Sequence, residues 1–327
     1  MTETCIASAP GKLALFGEHA VVHGRHCIVT AIDKRMWVKV TRSNQTILTS
    51  KQMGLYNYII KDGVNYPKEV AYVARAIQRV SGYLGRPIKA EIETWSDFSA
   101  DYGFGSSSAV TVSIIKALMC MNDLELNDKT LFELSYGTVI DVQGRHNKSG
   151  QPLASGFDVA AAIYGGTIDF SKNEVVVPLR SGQIPLLVAY SGSKASTVEL
   201  VNRVTELCLD HKVFCEALFN ISDQIVQLAK GALAVENWEE LGKLMTINHG
   251  LLSSLGVSSI KLDSLVSASI NAGAYGAKLS GAGGGDCIIA IVERDTRLKV
   301  ENAIKREGGT IINVNLNAEG ARIDKKD

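Results

Sequence analysis

Apolar positions along the chain follow two different periods. Residues 27–31 and 36–41 are rich in β-type side chains, and the second run alternates, with Trp37 and Lys39 set against Val38 and Val40, the pattern of a half-buried strand. Residues 5–50 as a whole read as strands joined by tight turns, and 89–93 alternates in the same way. Helical spacing appears at 66–83, where Val70, Val73, Ala76 and Ile77 fall on one face. A strongly apolar helix is expected at 109–122. A further one runs from a cap at Asn127 or Asp128 to about Val142. After Gly166 come short strands at 167–170, 175–178 and 185–190, then long helical periodicity from Thr197 to about Gly231. Helix, turn and helix follow from Trp238 to about Ala272. The tail reads as a second glycine-rich turn at 276–286, a strand at 287–292, a helix from Asp295 and a strand at 310–315.

At 327 residues the chain exceeds one ordinary core, so two units in close contact are expected, 1–178 and 179–327. Lys plus Arg equals Asp plus Glu, 34 each. Without a basic excess the chain lacks the electrostatic footprint of a duplex nucleic-acid binder. An anionic ligand must then be held by local donors. The six cysteines are scattered with no C-x-x-C pair and no zinc spacing, which points to a reducing compartment. No run of apolar residues approaches the length of a membrane span, and 1–12 does not read as a secretory signal. A cytoplasmic protein is expected.

Four segments carry candidate chemistry. In 101–109, DYGFGSSSA, Gly103 and Gly105 permit a tight turn, and Ser106, Ser107 and Ser108 open an apolar helix. The free N–H groups and positive dipole of such a helix start attract phosphate, although serines also serve as ordinary caps. The segment is neither a Walker A loop nor a dinucleotide fingerprint. In 9–24, APGKLALFGEHAVVHG, Lys12 opens a strand, and Glu18 and His19 follow a glycine bend. In 155–166, SGFDVAAAIYGG, Asp158 stands alone among apolar residues. It is either the N-cap of a short helix or an acid paired with a lysine. In 278–287, KLSGAGGGDC, glycine fills four of the five positions 281–285, an entropic cost that implies close backbone approach to something.

In this order and spacing, APGKLALFGEH, YGFGSSSA and KLSGAGGGD resemble the motifs of the GHMP kinase family, over a stretch from about Ala7 to the end of the sequence. The resemblance implies an α+β fold of two domains, the first of ribosomal-S5-like type and the second ferredoxin-like, with ATP and acceptor in the cleft between them. Within the family, GEHAVVHG, KASTVELV and 241–258 are similar to the mevalonate kinase branch. SGFDVAAAIYGG and GAGGGDC are similar to the phosphomevalonate kinase branch, since the mevalonate branch usually has glycine where Asp286 stands. The acceptor implied is therefore mevalonate or, alternatively, phosphomevalonate. A non-catalytic ligand sensor is a third reading, and it would not need both Lys12 and Asp158.

The same resemblance implies roles for single residues. Gly103, Phe104, Gly105, Ser106, Ser107 and Ser108 would hold the ATP phosphates, with Ser107 also on Mg2+. Asp158 would accept or orient the proton of the acceptor hydroxyl, and Lys12 would pair with it. Related decarboxylases lack a lysine at that place. Glu18, His19, Ser155, Ser196, Thr197, Gly281, Ala282 and Gly283 would surround the acceptor. The family's metal-binding glutamate would fall at Val139 here, four residues before Gln143-Gly144. Asp141 is close in sequence but points elsewhere on a helix. Arg145, His146 and Lys148, in the loop 145–154, would either meet a second acceptor phosphate or stay solvated. A homodimer is implied by analogy alone.

Overall fold

Two long strands, β1 (Thr4–Phe16) and β2 (Cys27–Arg42), pair antiparallel at the centre of the computed structural model, which describes residues 3–61, 64, 66–144, 154–172 and 176–327. The sequence pattern splits β2 into two pieces, but the structure keeps it whole. The register shifts between Pro10 and Gly11 of β1 instead, an irregularity suited to a residue that has no N–H to donate. Strands β3 (Ile47–Ser50) and β4 (Leu55–Ile59) form a hairpin. Helix α1 (Lys68–Leu84) then leads to β5 (Ala90–Ser96), which pairs antiparallel with β2 and parallel with β3.

Helix α2 (Ser106–Met121) is buried on nearly every side. That matches its sequence, which is apolar all round rather than along one stripe. Ile114, Ile115 and Leu118 are fully buried, each contributing about 1.5–3 kcal/mol of transfer free energy. The hydroxyls it carries inward are satisfied locally: Ser113 donates to the Met36 carbonyl at 3.1 Å and Thr111 to the Ser107 carbonyl at 2.7 Å. Helix α3 (Asp128–Gln143) starts as expected, the Asn127 side chain accepting from the Thr130 N–H. Helix α4 (Phe157–Tyr164) and strands β6 (Thr167–Phe170) and β7 (Val177–Pro178) complete this half.

The second half opens with β8 (Leu186–Tyr190) and four helices, α5 (Thr197–Asp210), α6 (Lys212–Ala234), α7 (Trp238–Ser254) and α8 (Ile260–Asn271). The periodicity at 197–231 thus belongs to two helices that break at His211. Strand β9 (Gly276–Ser280) and strand β10 (Cys287–Ile291) follow, so the glycine turn is shorter than the sequence implies and begins only at 281. Helix α9 (Arg297–Arg306) and strand β11 (Thr310–Ile312) close a four-stranded sheet of order β11-β8-β10-β9. Its strands are all antiparallel. With β8 counted first, this is the 4-1-3-2 arrangement of a ferredoxin-like unit.

A last strand, β12 (Arg322–Lys326), returns to pair with β1. The larger sheet runs β12-β1-β2-β5-β3-β4, with β6 and β7 attached through β2. Buried Arg35 anchors the returning segment, donating to the carbonyls of Ser8, Glu319 and Gly320. One shared core joins the halves: Leu13, Leu15 and Phe104 pack with Ile225, Leu233 and Ile289. Cys5 is bonded to Cys120 and Cys208 to Cys215, while Cys27 and Cys287 are free and buried. Spacing along the chain does not reveal pairs that the fold brings together. Among the described residues no helix is long and apolar enough to cross a membrane.

Candidate active site

A cleft of about 440 Å3 opens where the two halves meet. Its floor is the end of β1 and the start of α2. The Lys12 N–H donates to the Phe104 carbonyl at 3.0 Å, which ties the strand to the 103–108 turn. Gly103 and Gly105 have φ of 72° and 76°, the left-handed region that glycine enters without steric cost. Gly105 occupies the cap position of α2, and Ser106, Ser107 and Ser108 of the first turn line the cleft. No serine side chain caps this helix. The first turn of α2 thus meets the cleft without a side-chain cap on its N–H groups, an arrangement suited to an anion. Phe104 differs from its neighbours: its ring is buried in the shared core, tilted against Phe98 and edge-on to Tyr102.

Lys12 reaches across this turn. Its Nζ lies 3.3 Å from Asp158 Oδ1 and 5.2 Å from the centre of the Phe157 ring. A Cβ on Gly105 would sit 3.2 Å from the Lys12 stem, and one on Gly281 would sit 3.9 Å from Nζ. The lysine is thus threaded between both glycine turns. Asp158 is not the cap of α4. That position belongs to Gly156, with φ 95°, and no side chain caps the helix. Asp158 sits in the first helical turn beside the lysine, so of the two readings open in the sequence the paired acid is the one the geometry shows. Lys12 is nearly buried while the Asp158 side chain is 35% exposed. Asp158 Oδ1 itself is buried and has no hydrogen-bond partner among the described residues.

Glu18 and His19 form the far wall, in the bend after β1. His19 adopts a φ of 61° and its Nε2 donates to the Ala282 carbonyl at 2.8 Å. Burial lowers its pKa, which keeps the ring neutral and the Nε2 proton in place. The same contact locks the bend to the 281–285 turn. Gly281 and Ala282 line the cleft. Gly283 lies behind them, where a Cβ would come within 2.1 Å of the Val257 carbonyl oxygen. Ser155 and Thr197 line the cleft as well. Ser196 does not: it caps α5, its hydroxyl accepting from the Glu199 N–H.

Lys278 and Lys194 matter here although no motif assigned them a role, and Asp286 does more than mark a branch of the family. Lys278 of β9 is fully buried and ion-paired to Glu18. Lys194 reaches over the cleft mouth to Asp101, 3.2 Å away. Asp286 has a φ of 59°, accepts from the Ala195 N–H at 3.2 Å and lies against Gly103. Burial raises its pKa. Its carboxylate thereby joins the 191–197 loop to the 103–108 turn. Val139 lines the cleft where a carboxylate was sought, while Asp141 is paired with Arg79 on another side of α3. Arg145, His146 and Lys148 lie outside the described residues. Among the described residues no group of three or more His, Cys, Asp or Glu could hold a metal by itself.

Comparison with known proteins shows the family. The model of the GHMP kinases N-terminal domain matches residues 65–166 and that of the GHMP kinases C terminal matches 229–310. A galactokinase galactose-binding signature matches 2–42. The chain is 34% identical to a mevalonate kinase of Pyrococcus abyssi, with 99% of each chain covered. It is 35% identical to a mevalonate kinase of Archaeoglobus fulgidus, over 98% of this chain and 100% of the relative. A crystal structure of L. major mevalonate kinase in complex with R-mevalonate superposes with a TM-score of 0.76 at 25% identity, covering 98% of this chain and 97% of that one. The α+β fold in two units is that of these proteins. The chain belongs to the GHMP kinase family and is an ATP-dependent small-molecule kinase.

Proposed function

We propose that this kinase transfers the γ-phosphoryl group of ATP to the C5 hydroxyl of mevalonate, giving 5-phosphomevalonate and ADP. The observation that carries this reading is the Lys12–Asp158 pair, 3.3 Å apart, set between a phosphate-binding helix start and the Glu18–His19 wall. The full-length similarity to mevalonate kinases supports the choice of acceptor.

Phosphoryl transfer depends on positioning and charge neutralisation more than on covalent chemistry. The N–H groups at the start of α2 would hold the β- and γ-phosphates. Asp158 accepts the proton of the acceptor hydroxyl as that oxygen bonds to the γ-phosphorus. The bond from γ-phosphorus to the bridging oxygen breaks, and its electron pair stays on ADP. Lys12 stabilises the charge that develops on the entering oxygen and on the transferring group. His19 and Glu18 orient the acceptor, and the 281–285 turn covers it. Residues 1–178 would supply most of the ATP site and 179–327 the covering turn. A cytoplasmic homodimer is the expectation by family analogy.

Mg2+ fits the donors present. Ser107 offers a hydroxyl and Asp158 a carboxylate, both lining the cleft and both hard oxygen ligands. Since no carboxylate cluster surrounds them among the described residues, the nucleotide phosphates would provide most of the coordination. Bound there, the ion supplies charge neutralisation at those phosphates. Ser107→Ala is expected to raise the Mg2+ concentration that gives half-maximal rate by a few-fold. An unchanged Mg2+ titration removes Ser107 from the ligands. The functional reading itself is tested by ADP release from purified protein supplied with ATP and (R)-mevalonate. Failure to release ADP above the mevalonate-free background sinks it.

A further inference from the structure

Lys278 is an unusual residue for the middle of a strand in a packed sheet. All five residues of β9 are buried, and the Lys278 side chain has no exposed surface. A lysine is almost never taken out of water without a partner. Here Nζ donates to Glu18 Oε1 and to the Leu279 carbonyl at 2.6 Å. The two partners lie 260 positions apart in sequence and on opposite halves of the fold. The pair therefore spans the domain junction directly behind the cleft.

Only one oxygen of Glu18 is used in this way. Oε2 is buried and has no hydrogen-bond partner among the described residues, yet Glu18 lines the cleft. A carboxylate oxygen left unpaired in the interior is costly. Its place beside the acceptor wall gives it an evident partner, a hydroxyl brought by the substrate. The side chains around the pair leave few alternatives. His19 is committed to the Ala282 carbonyl. His249 of α7 accepts from the Leu279 N–H through Nδ1 and donates from Nε2 to Asp263 of α8 at 3.1 Å. Lys12 is engaged with Asp158, and Cys27 is a buried thiol.

We propose that Lys278 is a positioning residue for the acceptor: it fixes one oxygen of Glu18 and so aims the other at an acceptor hydroxyl. The inference rests on the reading of the cleft as an alcohol-phosphorylating site. The lysine touches no reacting atom. It acts by holding the charge and orientation of Glu18, and its removal should weaken acceptor binding far more than it slows the chemical step or alters ATP binding.

The test is steady-state kinetics of Lys278→Met and Lys278→Gln with (R)-mevalonate and ATP varied separately, alongside thermal midpoints. Both variants are expected to raise KM for mevalonate by about 10-fold or more, the loss that accompanies one charge-assisted hydrogen bond. KM for ATP should stay within about 2-fold, a change of under half a kcal/mol. Lys278→Gln keeps a donor for Glu18 without the charge, so it serves where the methionine variant does not fold. The double variant Glu18→Leu with Lys278→Met replaces the buried pair with apolar groups. It should recover the wild-type midpoint while the mevalonate KM stays raised. An unchanged mevalonate KM in the folded single variants overturns the proposal. So does a double variant that recovers KM together with stability, because the pair would then be structural only. Wild-type turnover is measured first. If the wild type uses 5-phosphomevalonate in place of mevalonate, the same comparison is made with that alcohol, so the two readings fail separately.

Discussion

Asp158→Asn is expected to lower kcat about 1,000-fold, the size of a general-base contribution, with KM for both substrates changed only a few-fold. The asparagine has the same shape and can sit in the first turn of α4 in the same place. It can still accept a hydrogen bond from the acceptor hydroxyl, but it cannot take the proton. The loss should therefore appear in kcat and in kcat/KM alike, the signature of an interaction made in the transition state. Lys12→Met should cost a comparable factor, because it removes the ammonium that lies between Gly105 and Gly281 and beside Asp158. Since the two groups lie 3.3 Å apart, their losses should not add. The double variant is expected to be little worse than the poorer single one. Steady-state rates of the four proteins in a coupled ADP assay check this. A folded Asp158→Asn variant with near-normal kcat would remove Asp158 from the chemistry.

The second large effect concerns stability. Gly276→Ala is expected to destabilise the fold by about 3 kcal/mol or more, at the upper end of overpacking costs. A Cβ at Gly276 would lie 1.8 Å from the Gly242 carbonyl oxygen and 2.8 Å from the Thr246 hydroxyl. Both are on α7, and the nearer one is backbone, so no rotamer change relieves the clash. Either α7 or β9 must move away, and β9 carries Lys278 and leads into the 281–285 turn. The variant should therefore show a thermal midpoint lower by several degrees and, where folded, a weakened acceptor site. Gly250→Ala makes the control: it lies on the same helix, and a Cβ there meets nothing within 4 Å. Equal midpoints for the two variants would mean that α7 and β9 are not packed as described.

Elements whose physics is local were legible in the sequence. The Asn127 cap, the apolar run of α2, the alternation of β5 and the first glycine turn all declare themselves through side chains a few positions apart. Features that depend on distant partners were not. Strand β12 is polar and largely exposed, so it carries no alternation. It forms because Arg35, nearly 300 residues earlier, fixes the preceding carbonyls. The break between α5 and α6 falls at His211 without glycine or proline to announce it. The bond from Cys5 to Cys120 joins a strand to a helix 115 positions away.

The site shows the same division. Lys12, Asp158 and the serines stand out in the sequence because each sits in a motif whose spacing matches a family. Lys278 stood in one of those motifs and was passed over. With 276–280 read as part of a turn, nothing marked its side chain as buried. The strand assignment is what makes a lysine there costly, and the cost is what points to Glu18. Phe104, Ser196 and Gly283 show the converse. They belong to the motifs, but one fills the core, one caps a helix and one makes room for the Val257 carbonyl.

Acceptor choice is where the motifs pull in two directions, since Asp286 and the SGFD segment resemble one branch and the GEH segment the other. The direct measurement is kcat/KM for (R)-mevalonate and for 5-phosphomevalonate under the same MgATP concentration, with the product identified by phosphorus NMR. A phosphate monoester formed from mevalonate, with kcat/KM at least about 100-fold above that for 5-phosphomevalonate, is expected, the discrimination worth about 2.7 kcal/mol. A diphosphate product, with mevalonate left untouched, would contradict it.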